Sequence, residues 1–88
     1  MREYVVEYLG SVFFFYVTVV TKNAFAIGAA LALAIYVSSN LSGGGFNPAV
    51  TLAHALTGDT PMAKLLPYVL AHVAAALTVW QIYIRLKK

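Results

Sequence analysis

Apolar residues run almost unbroken from Tyr4 to about Thr21, from about Ala24 to Ser39, and from Pro61 to about Leu86. A helix of roughly 17 to 25 such residues spans a hydrocarbon core, so each run reads as a transmembrane helix. The first break, Lys22-Asn23, allows only a very short connection. The second break differs in kind. Ser42-Gly43-Gly44-Gly45-Phe46-Asn47-Pro48-Ala49-Val50-Thr51 sets three glycines before an Asn-Pro step and another apolar turn. Asn is a strong N-cap, because its side-chain oxygen accepts an exposed N–H of the first turn. Pro fits the next position, where its missing N–H costs nothing. The helix this predicts, Pro48 to about Leu56, is far too short to cross a membrane. Non-helical backbone at membrane depth persists only inside protein or beside a water-filled cavity. Residues 40–57 therefore read as a pore loop and re-entrant half helix. Gly58 ends that helix, and Asp59-Thr60-Pro61 reads as a turn with Thr60 capping the last span. The pattern predicts an all-α membrane protein, one unit over residues 1–88, with three transmembrane helices plus one re-entrant half helix.

Composition sharpens this picture. Of 88 residues, 61% are hydrophobic, and the formal net charge is +3. So small a domain buries little core in water, but here lipid takes the place of a core. The lipid bilayer is the first partner implied, and a cell membrane (plasma or inner) the expected location. Cysteine is absent, which excludes disulfides and thiolate metal sites. The basic residues stand at segment ends, as topology signals do, and not as a nucleic-acid surface. No A-x-A-like site follows the first apolar run, so no cleavable leader is expected. No nucleophile–base pair and no metal set is visible, so neither an enzyme nor a cofactor is expected.

Single residues inside the spans carry more information. Glu7, Ser11 and Phe14 recur at spacings of four and three, which places them on one helical face. An intramembrane carboxylate must find donors, and the glycine loop offers spare N–H groups. From position alone, Glu7 near a helix end also fits a side chain that snorkels to the interface. The small residues of the second helix, Ala26, Gly28, Ala29, Ala30, Ala32 and Ala34, fit close helix packing in lipid. Gly43, Gly44 and Gly45 can present successive carbonyls to a pore. His54 reads as a surface or packing histidine, and Tyr4, Tyr8, Tyr16, Trp80 and Tyr83 as interface-belt residues.

The stretch Ser42 to Thr51 resembles the first signature loop of the aquaporin and glycerol-facilitator family, the major intrinsic proteins. In that family Asn-Pro-Ala appears in each of two inverted repeats, and the resemblance covers essentially this whole chain but only the first half of the family's fold. It implies passive transport of water and small neutral solutes, with Asn47, Pro48, Ala49, Gly43, Gly44 and Gly45 at the pore. It implies too that Glu7, with Ser11 one turn on, supports the loop by accepting hydrogen bonds from loop amides. Tyr68 followed four residues later by His72 resembles a family pattern of Tyr and Gln, which makes His72 an expected inter-helix hydrogen-bonding residue.

Departures from the family pattern carry expectations of their own. Ile27 stands where an aromatic residue narrows the family's filter, and Gly45 stands where a His is common. Both changes predict a wider, less selective path. Val50 follows Ala49, and the Arg that accompanies the second Asn-Pro-Ala has no counterpart. Half a fold cannot enclose a pore, so the resemblance implies self-association of two antiparallel copies, further joined into a tetramer of pores, or a separate second half. Arg2 and Lys64 fall on one side of the membrane, against Lys22, Arg85, Lys87 and Lys88 on the other, a small bias that permits both orientations. A membrane interaction module without transport is the competing class.

Overall fold

The computed structural model describes residues 1–43 and 45–87, and among these the regular structure is entirely helical. Helix α1 covers Arg2–Thr21, α2 Ala24–Ser38, α3 Pro48–Leu56 and α4 Leu65–Leu86, the last preceded by a 3-10 turn at Met62–Lys64. At 1.5 Å per residue the 20 residues of α1 extend about 30 Å, the thickness of a bilayer core. Helices Arg2–Thr21 and Met62–Leu86 are both long and apolar enough to cross one. The 15 residues of α2 extend only about 22 Å.

The breaks follow from local chemistry. Lys22 takes a left-handed φ of 49° and closes α1 through a bond from its N–H to the Thr18 carbonyl. Asn23 then caps α2 by accepting the Ala26 N–H at 2.9 Å. Gly58, at φ 88°, turns the chain out of α3, a conformation glycine adopts without a Cβ clash. The expected cap at Thr60 does not form. The last span opens without a side-chain cap, because the Thr60 hydroxyl is spent on the Gly43 carbonyl at 3.1 Å.

α1 packs chiefly against α4 and then α2, while α3 lies on α4. Four contacts fix α1 and α4 as parallel neighbours. Glu3 pairs with Lys64 at 3.1 Å, and the Tyr4 ring meets the Tyr68 ring edge-on at 5.2 Å. Glu7 bonds His72 at 2.8 Å, and the Tyr8 hydroxyl bonds Thr78 at 2.6 Å. Tyr4 and Tyr8, expected at the interface, are thus drawn into the helix pair. On α2 the buried positions Ala30, Ala34 and Ser38 recur every four residues and face inward.

Polarity is inverted relative to a water-soluble domain. Glu7, Ser11, Thr51, Thr60 and His72 are buried, while Phe25 and Tyr36 are 89% and 81% exposed. Large apolar side chains turned outward fit a lipid solvent, where polar groups must find partners inside.

Candidate functional site

Glu7 is the centre of the buried polar cluster, with no exposed surface. Its Oε1 accepts the Phe46 N–H at 2.9 Å and the His72 Nε2 at 2.8 Å, and its Oε2 accepts the Ser42 hydroxyl at 2.5 Å. A carboxylate only accepts, so His72 donates to it through Nε2. The sequence expectation that Glu7 turns inward to the loop is met, and the snorkelling alternative is not. Its loop donors, however, are Ser42 and Phe46, the residues that bracket the glycines, and no bond from Gly43 or Gly45 reaches it. Ser11 is equally buried, but its hydroxyl meets no partner among the described residues, and neither does His72 Nδ1. Phe14, expected on the same face, is half-buried and packs against Phe15.

Phe46 is the residue that sequence reasoning missed. It is 1% exposed and sits in the left-handed region at φ 61°, an uncommon conformation for a bulky residue. Such strain persists only where surrounding contacts over-determine it. The Glu7 carboxylate holds its N–H, and its ring lies so close to Gly10 that a Cβ there would come within 2.3 Å of it. The only sequence signal was a lone glycine in an otherwise continuous apolar helix. Gly10→Ala should therefore cost about 1–3 kcal/mol of stability, as overpacking does, read by unfolding in detergent. An unchanged midpoint would mean that the Phe46 ring can step aside.

Phe46 delivers the chain to Asn47, whose φ of −160° is ordinary extended backbone. Asn47 Oδ1 accepts the Ala49 N–H at 2.7 Å and the Val50 N–H at 3.3 Å. Its carbonyl accepts the Thr51 N–H at 2.9 Å, and Pro48 has none to offer. The first turn is satisfied, and the Asn47 side-chain NH₂ is the donor left exposed among the described residues. Ala49 is exposed too.

Gly43 ties the segment shut. Its N–H donates to the Tyr68 hydroxyl at 3.2 Å, and its carbonyl accepts from His54 Nδ1 at 3.0 Å and Thr60 at 3.1 Å. Both lone pairs of that carbonyl are occupied, so Gly43 does not extend the expected ladder of free carbonyls. Gly44 lies outside the described residues. Gly45 has φ 85°, and a Cβ there would meet Val50 at 2.7 Å and His54 at 3.5 Å. The His54 ring therefore borders the space that the sequence suggested would stand empty beside Gly45. Ile27, by contrast, is half-buried near the start of α2, at the far end from Gly43. Gly28 next to it faces open space, so nothing within the chain uses its small size.

No cluster of three metal-ligating side chains occurs among the described residues. The profile of the family described as Major intrinsic protein matches residues 1–87. A glycerol uptake facilitator protein of Streptococcus pneumoniae is 50% identical over 50 residues, 57% of this chain and 21% of the relative. Aquaglyceroporin-2 of Trypanosoma brucei brucei is 35% identical over 85 residues, 82% of this chain and 27% of its own length. The glycerol uptake facilitator protein-like 6 of Lactiplantibacillus plantarum is 40% identical over 86 residues, 88% of this chain and 40% of the relative. The chain thus spans from about a fifth to two fifths of the length of these relatives. No solved structure gives a significant match. The family's members are integral membrane proteins and passive channels, not enzymes. A profile match over nearly every residue, on a fold whose buried carboxylate holds an Asn-capped half helix, places this chain in the major intrinsic protein family.

Proposed function

We propose that this chain is one half of a passive channel for water and small neutral solutes such as glycerol. Its spans are α1, α2 and the segment 61–86, and residues 40–57 re-enter from one face. The observation that carries the reading is the closure of that segment on itself. The chain leaves at Gly43 and returns at Thr60, hydrogen-bonded to the same carbonyl, after placing Phe46 against Gly10 near the middle of α1. Asn47 follows directly, so its amide offers hydrogen bonds to a passing oxygen near mid-membrane. The nine-residue α3 behind it, about 13 Å long, aims the positive end of its dipole the same way. Pro48 and Ala49 add little bulk beside that donor, Gly45 brings the backbone close, and Glu7 and Ser11 support the loop from α1. The names of the relatives, glycerol uptake facilitators and an aquaglyceroporin, point to the same solutes.

The pore is completed by an inverted second half, which we assign to a second copy of this chain. Gly28, Ala29 and Ala32 leave an uncovered small-residue face on α2, suited to close approach in lipid. A two-fold axis in the membrane plane brings Asn47 of both copies together, the symmetric form of an inverted repeat. Liposomes holding only this chain should show water and glycerol flux, and single cysteines at either terminus should label from both sides. Labelling of each terminus from one side alone excludes the homodimer. Flux that appears only with another half protein assigns the second half elsewhere, and no flux under either condition leaves an interaction module.

A further inference from the structure

We propose that the end of the molecule where α1 and α4 begin holds an anionic phospholipid, its phosphate beside Arg2 and an acyl chain between α1 and α2. Two concavities meet there, and Leu41 lines both. One is polar, about 380 Å³, and is bounded by Arg2, Glu3, Asn40 and Lys64. The other is apolar, about 350 Å³, and runs between Val6, Leu9 and Phe13 of α1 and Leu33 and Val37 of α2. Arg2, Val6, Leu9 and Phe13 recur at spacings of four, three and four, so they share one face of α1. A cation therefore heads an apolar stripe that continues down the helix. That is the order of groups in a phospholipid.

Charge selects the class of head group. Glu3 already binds Lys64 at 3.1 Å and the Met1 amino group at 2.9 Å. Arg2 makes no hydrogen bond or ion pair among the described residues. Its guanidinium fork matches two phosphate oxygens, and Asn40 adds a neutral donor on the facing wall. A choline or ethanolamine head would set its own cation against Arg2 and Lys64, whereas an anionic head would not.

The full chain in detergent micelles, titrated with lipid and read by native mass spectrometry, tests this. Phosphatidylglycerol should bind about fivefold more tightly than phosphatidylcholine of the same tails, the equivalent of about 1 kcal/mol for one cation at an anionic surface. Arg2→Gln should erase that preference. Glu3→Gln should widen it, because it releases Lys64. Val37 stands on the groove rim, 65% exposed, so Val37→Trp fills the groove from its open side. That variant should weaken both lipids and keep their ratio. A preference that survives Arg2→Gln, or lipid binding indifferent to Val37→Trp, overturns the site.

Discussion

Replacing Glu7 by leucine should abolish flux and destabilise the folded chain, by about 1–3 kcal/mol for each buried donor left without its acceptor. Three donors would lose their acceptor at once: the Phe46 N–H, the Ser42 hydroxyl and the His72 Nε2. The Phe46 N–H and the His72 Nε2 belong to buried residues, whereas Ser42 is half-buried and can turn to water. The Phe46 N–H matters most, because its residue holds the left-handed turn that delivers Asn47. Glu7→Gln is the informative contrast. A glutamine oxygen can still accept from Phe46 and His72, and the Ser42 hydroxyl can rotate to accept from the new NH₂. What is lost is the charge assistance, roughly 1 kcal/mol per bond, so the chain should fold with reduced stability and residual flux. His72→Gln should be milder still, since an amide donates to the same Oε1. Unfolding in detergent and stopped-flow swelling of liposomes measure the series. A Leu variant with wild-type stability and transport would mean that the loop is held by Gly43 and its partners alone.

That possibility is a serious one, because the loop has two independent anchors, and only one was legible in the sequence. Glu7 was legible because a carboxylate in an apolar run is costly and its spacing to Ser11 defined a face. Asn47 and Pro48 were legible because capping is local chemistry, and the cap forms as read. Gly58 was legible for the same reason. The Gly43 anchor was not, since it joins residues 11 and 17 positions apart through a carbonyl any residue would have. Thr60 misled for a related reason: its hydroxyl could cap a helix or reach the loop, and pattern alone cannot rank those choices. Gly10 was invisible because its role is to make room for a ring 36 positions away. Helix α1 begins two residues before the start read at Tyr4, and α2 ends one residue before the end read at Ser39.

The two anchors have a consequence for transport. With Gly43 bound on both lone pairs and the first turn of α3 capped, the loop groups left free among the described residues include the Asn47 NH₂ and the Gly45 and Phe46 carbonyls. The Asn47 NH₂ is chief among them, and the hydrogen bonds at Oδ1 polarise it further. In the proposed channel, one strong side-chain donor and a few backbone carbonyls per half, with no charged group, should select by size and desolvation more than by affinity.

Placing tryptophan at Ile27 should therefore cut glycerol permeation by on the order of tenfold, about 1.4 kcal/mol of barrier, and water permeation by much less. Ile27 lies near the start of α2, at the end of the chain's span opposite Gly43, and its side chain is only half-buried. In an antiparallel pair both copies narrow together, one at each mouth, so a bulky solute meets the obstruction twice. The wild-type chain puts an aliphatic residue at both places, and Val50 after Ala49 supplies no fixed positive charge. Its path should accordingly pass glycerol as well as water. In the proposed pair, ions should be held back by a different cause, the cost of desolvation where two half-helix dipoles and two Asn47 amides would meet. Stopped-flow swelling in water and glycerol gradients separates the solutes, and planar-bilayer recording measures the ions. Rejection of glycerol by the wild type would remove Ile27 from the filter, and a substantial cation current would remove the dipoles as the barrier.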